Sequence, residues 1–134
     1  ILFLLLFPCT YSTVLLMLWA FAFGLTLDVL GAGIMGLHTA SFVVAGALRS
    51  TILKTVTVKG DLDNLMVPGF NQLGFGRYSF FVMFCVIAHH LVFFTLESLS
   101  FFLFWHTFAR FVCSLLLNVF LILLFKITFF ERRR

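Results

Sequence analysis

The sequence predicts an all-α, polytopic membrane helix bundle, and the two observations that predict it are composition and long apolar runs. Hydrophobic residues make up 63% of the 134 residues and charged residues 10%, with a mean hydropathy of +1.18. Soluble domains are about 45–50% apolar and about 25% charged, and a small soluble fold leaves much of its surface in water. Lipid is therefore the expected solvent for most of this chain, which argues against a soluble enzyme.

Apolar runs divide the chain into four spans, one long polar loop and a short apolar segment at the start. Each span approaches or exceeds the roughly 20 residues with which a helix crosses a bilayer, whereas barrel strands alternate in polarity over about ten residues. Helices are expected because lipid offers backbone groups no hydrogen-bond partners. We expect one transmembrane domain over 1–134, with the short segment at 1–7, the loop at about 54–76, and spans at 14–30, 34–53, 77–96 and 101–130.

The short segment 1–7 is too short to cross a bilayer. We expect it to be the tail of an earlier helix, because the chain starts at Ile1 rather than at Met. A signal peptide is less consistent with the segment, since no basic residues precede it and no small-residue cleavage site follows. The expected fold is four full transmembrane helices plus this tail.

Basic residues are distributed unequally between the two sides of the predicted bundle. The side without the long loop has only Arg110 near it, out of nine Lys and Arg. The other eight are Arg49, Lys54, Lys59, Arg77, Lys126, Arg132, Arg133 and Arg134. Since cytoplasmic segments carry the excess of Lys and Arg, the loop and the C-terminus are expected in the cytoplasm. These cations mostly flank apolar runs, so the net charge of +4 does not indicate nucleic-acid binding.

No motif in the sequence predicts catalysis, a cofactor or a metal site. Residues 31–36 match G-x-G-x-x-G, but a dinucleotide site needs a strand before the motif, and here a long apolar run precedes it. A tight turn between helices is the better interpretation. The cysteines have no paired spacing, and no nucleophile stands beside a base. The three cysteines are Cys9, Cys85 and Cys113.

Small residues recur at helical spacing in the first two spans, as in Ala20 with Gly24 and Ser41 with Ala45. Small residues four apart let membrane helices approach closely. We expect Gly24, Gly36 and Ala40 to serve helix packing, within the chain rather than against a partner.

Seven ionisable residues lie within or beside the apolar runs, where charges are costly and usually face a bundle interior, a cavity or each other. The predicted topology puts them near one end of the bundle. A structural polar network and a contact site for a partner are the preferred interpretations; a small-molecule or ion site and a bis-histidine haem are the alternatives. The residues are Asp28, His38, His89, His90, Glu97, His106 and Arg110.

Arg110 is expected to pair with a carboxylate, because an arginine inside the membrane costs at least about 2.5–3.5 kcal/mol. Glu97 is the first choice of partner, since a short connection keeps it close along the chain, and Asp28 is the second.

Three stretches resemble the family of the bacterial rod-shape-determining protein MreD. They are FGLTLD at 23–28, GLHTA at 36–40 with AGALR at 45–49, and AHHLVFFTLE at 88–97. The likeness extends over nearly the whole chain in hydropathy, but the motifs are mostly glycine, aspartate and apolar positions. The chain departs from the family pattern by lacking the first helix and most of the second.

The resemblance implies a six-helix membrane fold like that of the substrate-binding subunits of energy-coupling vitamin transporters. It implies a non-catalytic scaffold of the cell-elongation complex in the bacterial inner membrane, supporting cell shape and peptidoglycan synthesis. The implied partners are MreC, the actin-like MreB, and the peptidoglycan polymerase and transpeptidase. The alternative function is a small-solute-binding transporter subunit of the same fold.

Overall fold

The computed structural model describes residues 1–31, 34–57, 67–97 and 104–130. Within those ranges the regular structure is entirely helical. The five helices are α1 (Leu2–Leu6), α2 (Thr13–Leu30), α3 (Leu37–Val56), α4 (Phe70–Glu97) and α5 (Phe104–Phe130). The predicted all-α class is therefore confirmed. The short segment at 1–7 forms the single turn of α1, and its Leu4 and Leu5 are buried.

Three of the helices are long and apolar enough to cross a membrane. They are α2, α4 and most of α5, over Thr13–Leu30, Phe70–Glu97 and Trp105–Thr128. The fourth predicted span corresponds to α3, which has 20 residues but carries His38, Arg49 and Lys54. This more polar helix is not one of the three, although it lies between α2 and α4.

Two helices begin at residues other than those predicted, and glycine or proline directly precedes each observed start. The second span was expected from residue 34, but α3 begins after Gly36, whose φ of 95° is left-handed. The third was expected from residue 77, but α4 already begins at Phe70, directly after Pro68 and Gly69. A break at Gly74 (φ 76°, ψ 156°) separates its first turn from the rest. The predicted loop at 54–76 is correspondingly shorter, and residues 58–66 lie outside the described ranges.

The helices pack in sequence order, with α3 between α2 and α4, and α5 against α4. One apolar cluster joins α1 to α5 through α3 and α4, and it includes Leu5, Leu53, Phe81 and Ile122. A smaller cluster joins α1, α2 and α3. Helix α5 is the least covered, because Ile122 and Lys126 are the only buried side chains among those that the structure describes on it.

Candidate functional site

Asp28 joins the end of α2 to the start of α3. Its carboxylate is 5% exposed and accepts backbone N–H bonds from Gly36 at 3.0 Å, His38 at 2.9 Å and Thr39 at 3.0 Å. The Thr39 hydroxyl donates a fourth bond at 2.6 Å. The first N–H groups of a helix have no partner within it, and its N-terminus favours negative charge. Asp28 therefore caps α3 from the neighbouring helix, and it is not the partner of Arg110.

Gly24 lies at a close approach of α2 and α3, one turn before Asp28. A Cβ atom at this position would be 2.6 Å from the Cα of Thr39 and 2.9 Å from its N. Real Cβ atoms essentially never come that close to backbone atoms. Gly24 thus allows α2 to pack closely on α3 within the chain.

Gly36 has a different role from the predicted one. A Cβ atom there would meet nothing within 4 Å, so the residue does not allow close helix packing. Its φ of 95° places it in the left-handed region, which glycine adopts without steric cost. Gly36 instead turns the chain into α3, and this turn presents its N–H to Asp28. Ala40 is half-buried one turn later, and its packing role stays a prediction.

Arg110 pairs with Glu97, the partner expected first. Nη2 of Arg110 lies 3.1 Å from Oε1 of Glu97, and the arginine side chain is 62% exposed. The guanidinium carbon is also 5.7 Å from the ring centroid of Phe94. The pair links α5 to the end of α4. The pair gives Arg110 a countercharge within a helix that is apolar enough to cross a membrane, where an unpaired charge is costly.

His90 forms a polar connection between α4 and α5 in the interior. Its Nδ1 is 3.0 Å from the carbonyl oxygen of Val86, and its Nε2 is 3.3 Å from Nδ2 of Asn118. Nδ1 therefore carries the proton that Val86 accepts, and Nε2 accepts from the amide. Asn118 also donates to the Ser114 carbonyl at 2.9 Å. Our sequence reasoning missed Asn118, although a single amide inside an apolar run is a signal for helix–helix hydrogen bonding.

His89 faces a cavity of about 300 Å³ between the helices. The side chain is 7% exposed, and neither ring nitrogen has a hydrogen-bond partner among the described residues. The Phe42 ring lies against it, with centroids 4.7 Å apart. The other lining residues are Ile1, Leu27, His38, His90, Phe93, Phe94, Ser114 and Asn118. The structure thus gathers three of the four histidines around one cavity.

The predicted polar set does not converge on a single site. His38 lines both the larger cavity and a smaller one of about 190 Å³, whose lining also includes Asp28 and Glu97. The His38 ring centroid lies 5.0 Å from that of Phe93. His106 is exposed on α5 and lines neither of these two cavities. The set therefore divides into an α3 cap, an ion pair and a histidine-lined cavity.

Two cations that we had assigned to the cytoplasmic side are buried and connect helices. Arg49 is 5% exposed, and its Nη2 donates to the carbonyl oxygens of Leu5 and Phe7 at the end of α1. Lys126 is 6% exposed, and its Nζ donates to the Pro68 carbonyl at 3.3 Å, just before α4. Cations favourably bind the carbonyls at a helix C-terminus, which is what Arg49 does at the end of α1. Hydropathy alone could not distinguish these two residues from cations that anchor a helix at the membrane interface.

The described residues contain no group of three His, Cys, Asp or Glu side chains that could hold a metal ion. The three cysteines are free thiols. With these sites in view, comparisons of the chain with protein-family models, curated proteins and solved structures find no match.

Proposed function

We propose that this chain is a non-catalytic membrane scaffold of the bacterial cell-elongation complex. The observation that carries the proposal is the open surface of α5, a 27-residue helix that packs mainly on α4. From Leu116 to Ile127 its exposed side chains are apolar and suit another membrane helix or lipid. They include Leu116, Leu117, Phe120, Leu121, Leu124 and Ile127. Most of the polar contacts described above join one helix of the chain to another, which suits a rigid binding platform.

The resemblance to the MreD family supplies the proposed partners. These are MreC, the actin-like MreB, and the peptidoglycan polymerase and transpeptidase of the elongation complex. The proposed setting is the inner membrane, and the proposed complete fold has six helices. Small-residue packing of the kind seen at Gly24 supports this role, because it keeps the platform rigid without using the α5 surface.

Co-purification with a tagged MreC tests the scaffold function. We expect the full chain to co-purify in mild detergent, and the double variant Leu117→Ala with Leu121→Ala to be recovered about tenfold less, as loss of two interface contacts implies. The matched control is Leu18→Ala with Leu25→Ala, on the exposed face of α2. Absence of the unmodified chain from the complex would contradict the scaffold function, and equal recovery of both variants would exclude the α5 surface.

The proposed orientation places residues 54–76 and the C-terminus in the cytoplasm, because eight of the nine Lys and Arg lie toward that side. We expect a cysteine introduced at position 98 to react with an impermeant thiol reagent in intact spheroplasts, and one at position 63 to react only after lysis. The parent chain for this measurement lacks Cys9, Cys85 and Cys113. Labelling of position 63 from outside would reverse the orientation.

A small-solute-binding transporter subunit is the second candidate function. The histidine-lined cavity of about 300 Å³ favours it, since ligand sites are concave and mostly apolar with a few polar groups. A transporter subunit would co-purify with an energy-coupling ATPase module. Recovery of that module instead of MreC would select this second function.

A further inference from the structure

The cavity beside His89 has the volume and lining composition of a ligand site. Its volume of about 300 Å³ lies at the lower end of the range for small-molecule sites, roughly 300–1,000 Å³. Side chains from four helices line it, including Leu27 of α2, Phe42 of α3, His89 of α4 and Asn118 of α5. A molecule bound there would contact all four of the long helices.

His89 lines the cavity, and its two ring nitrogens have no hydrogen-bond partner among the described residues. A neutral imidazole carries one donor and one acceptor, and the His89 side chain is 7% exposed. Burying polar groups without hydrogen bonds is unfavourable. The neighbouring His90 is already satisfied by Val86 and Asn118. His89 is therefore the side chain that a ligand would satisfy.

The rest of the lining limits the ligand's chemistry. Phe42 and Phe93 supply aromatic surface, and among the described residues no lining side chain is that of Asp, Glu, Lys or Arg. A charge buried without a countercharge is strongly disfavoured. We propose that this cavity binds a small, flat, uncharged molecule that donates a hydrogen bond to the unprotonated ring nitrogen of His89, while the ring of the bound molecule lies against the two phenylalanines. The proposal does not depend on the scaffold function, because a scaffold can hold such a molecule or lack it.

A matched set of probes tests the proposal on the full chain in lipid nanodiscs. Benzamide offers a ring with a donor and an acceptor, acetophenone an acceptor only, and benzoate a charge. The chain has four histidines, so ¹⁵N labelling of histidine allows each imidazole to be followed by NMR. We expect benzamide to shift the His89 nitrogens saturably and to bind about tenfold or more tightly than either other probe, as loss of about one hydrogen bond implies.

Two variants locate the binding. His89→Phe keeps a ring but removes both nitrogens, so benzamide affinity, followed by ligand-observed NMR, is expected to fall about tenfold or more. His106→Phe changes an exposed residue of α5 and is expected to leave affinity unchanged. If His89→Phe fails to fold, the comparison of benzamide, acetophenone and benzoate on the unmodified chain still tests whether the cavity prefers an uncharged donor.

Three results would overturn the proposal. Equal binding of acetophenone would show that no donor is recognised, and tighter binding of benzoate would show that the cavity takes an anion. Absence of any saturable shift at His89 would indicate that the cavity holds only water. Co-purification with MreC is measured separately, so failure of ligand binding and failure of the scaffold function give different results.

Discussion

Replacing Asp28 with alanine is expected to lower the free energy of unfolding by about 2–4 kcal/mol. An ordinary N-cap substitution costs about 0.5–2 kcal/mol. Here one buried carboxylate serves three backbone N–H groups and a hydroxyl, and each buried donor left unpaired costs about 1–3 kcal/mol. Relaxation and water are expected to recover part of that total. Unfolding in mixed detergent micelles, followed by circular dichroism, measures the change.

Two milder variants provide the controls for Asp28. Asp28→Asn retains one acceptor oxygen and is expected to lose less stability than Asp28→Ala. Thr39→Val removes only the hydroxyl bond of 2.6 Å and is expected to cost about 1 kcal/mol. If Asp28→Ala were no more destabilising than Thr39→Val, the carboxylate would not be the cap of α3.

Replacing Gly24 with leucine is expected to separate α2 from α3 and to cost about 3 kcal/mol or more. Overpacking usually costs about 1–3 kcal/mol, and here the first added atom already lies 2.6 Å from backbone rather than from a movable side chain. Gly24→Ala should show the smaller effect, because only the Cβ clashes. The same micelle unfolding measures both, and a fall in co-purification with MreC is expected in parallel.

Gly46 provides the matched control for Gly24. A Cβ atom there would lie 3.4 Å from Cδ2 of Leu4 and 3.6 Å from Cβ of Ala20, both side-chain atoms. Gly46→Ala is therefore expected to be neutral or to stabilise α3 by up to about 1 kcal/mol through helix propensity. Equal losses for Gly24→Ala and Gly46→Ala would indicate that glycine content, not the close approach at Thr39, determines stability.

The sequence predicted the helices and the pairs that follow from chain proximity. Hydropathy located α2, α4 and α5 because lipid selects uninterrupted apolar runs. The partnership of Arg110 with Glu97 was predictable because only a short connection separates their helices. The contact at Gly24 followed from small residues at helical spacing. Each of these depends on local information.

Contacts set by tertiary geometry were not predictable. Which backbone groups remain unpaired at a helix end depends on where the neighbouring helix stops, so Asp28 was not recognised as the cap of α3. Arg49 and Lys126 resemble membrane-interface anchors in sequence, and only packing shows that they reach the carbonyls of Phe7 and Pro68. The sequence alone does not distinguish a glycine needed for its positive φ, as at position 36, from a glycine needed because a neighbouring helix leaves no room for a side chain.

The cap formed by Asp28 has a consequence for synthesis of the chain. The donors that it needs lie only 8 to 11 residues further along the sequence, and ribosomes add about 5–20 residues per second. An interval on the order of a second therefore separates the synthesis of Asp28 from the synthesis of the residues that donate to it. The partners that Asp28 needs all lie within the hairpin of α2 and α3, so the hairpin can satisfy this charge without α4 or α5. Insertion into the membrane can then proceed with the hairpin as a unit whose costly polar group is already paired.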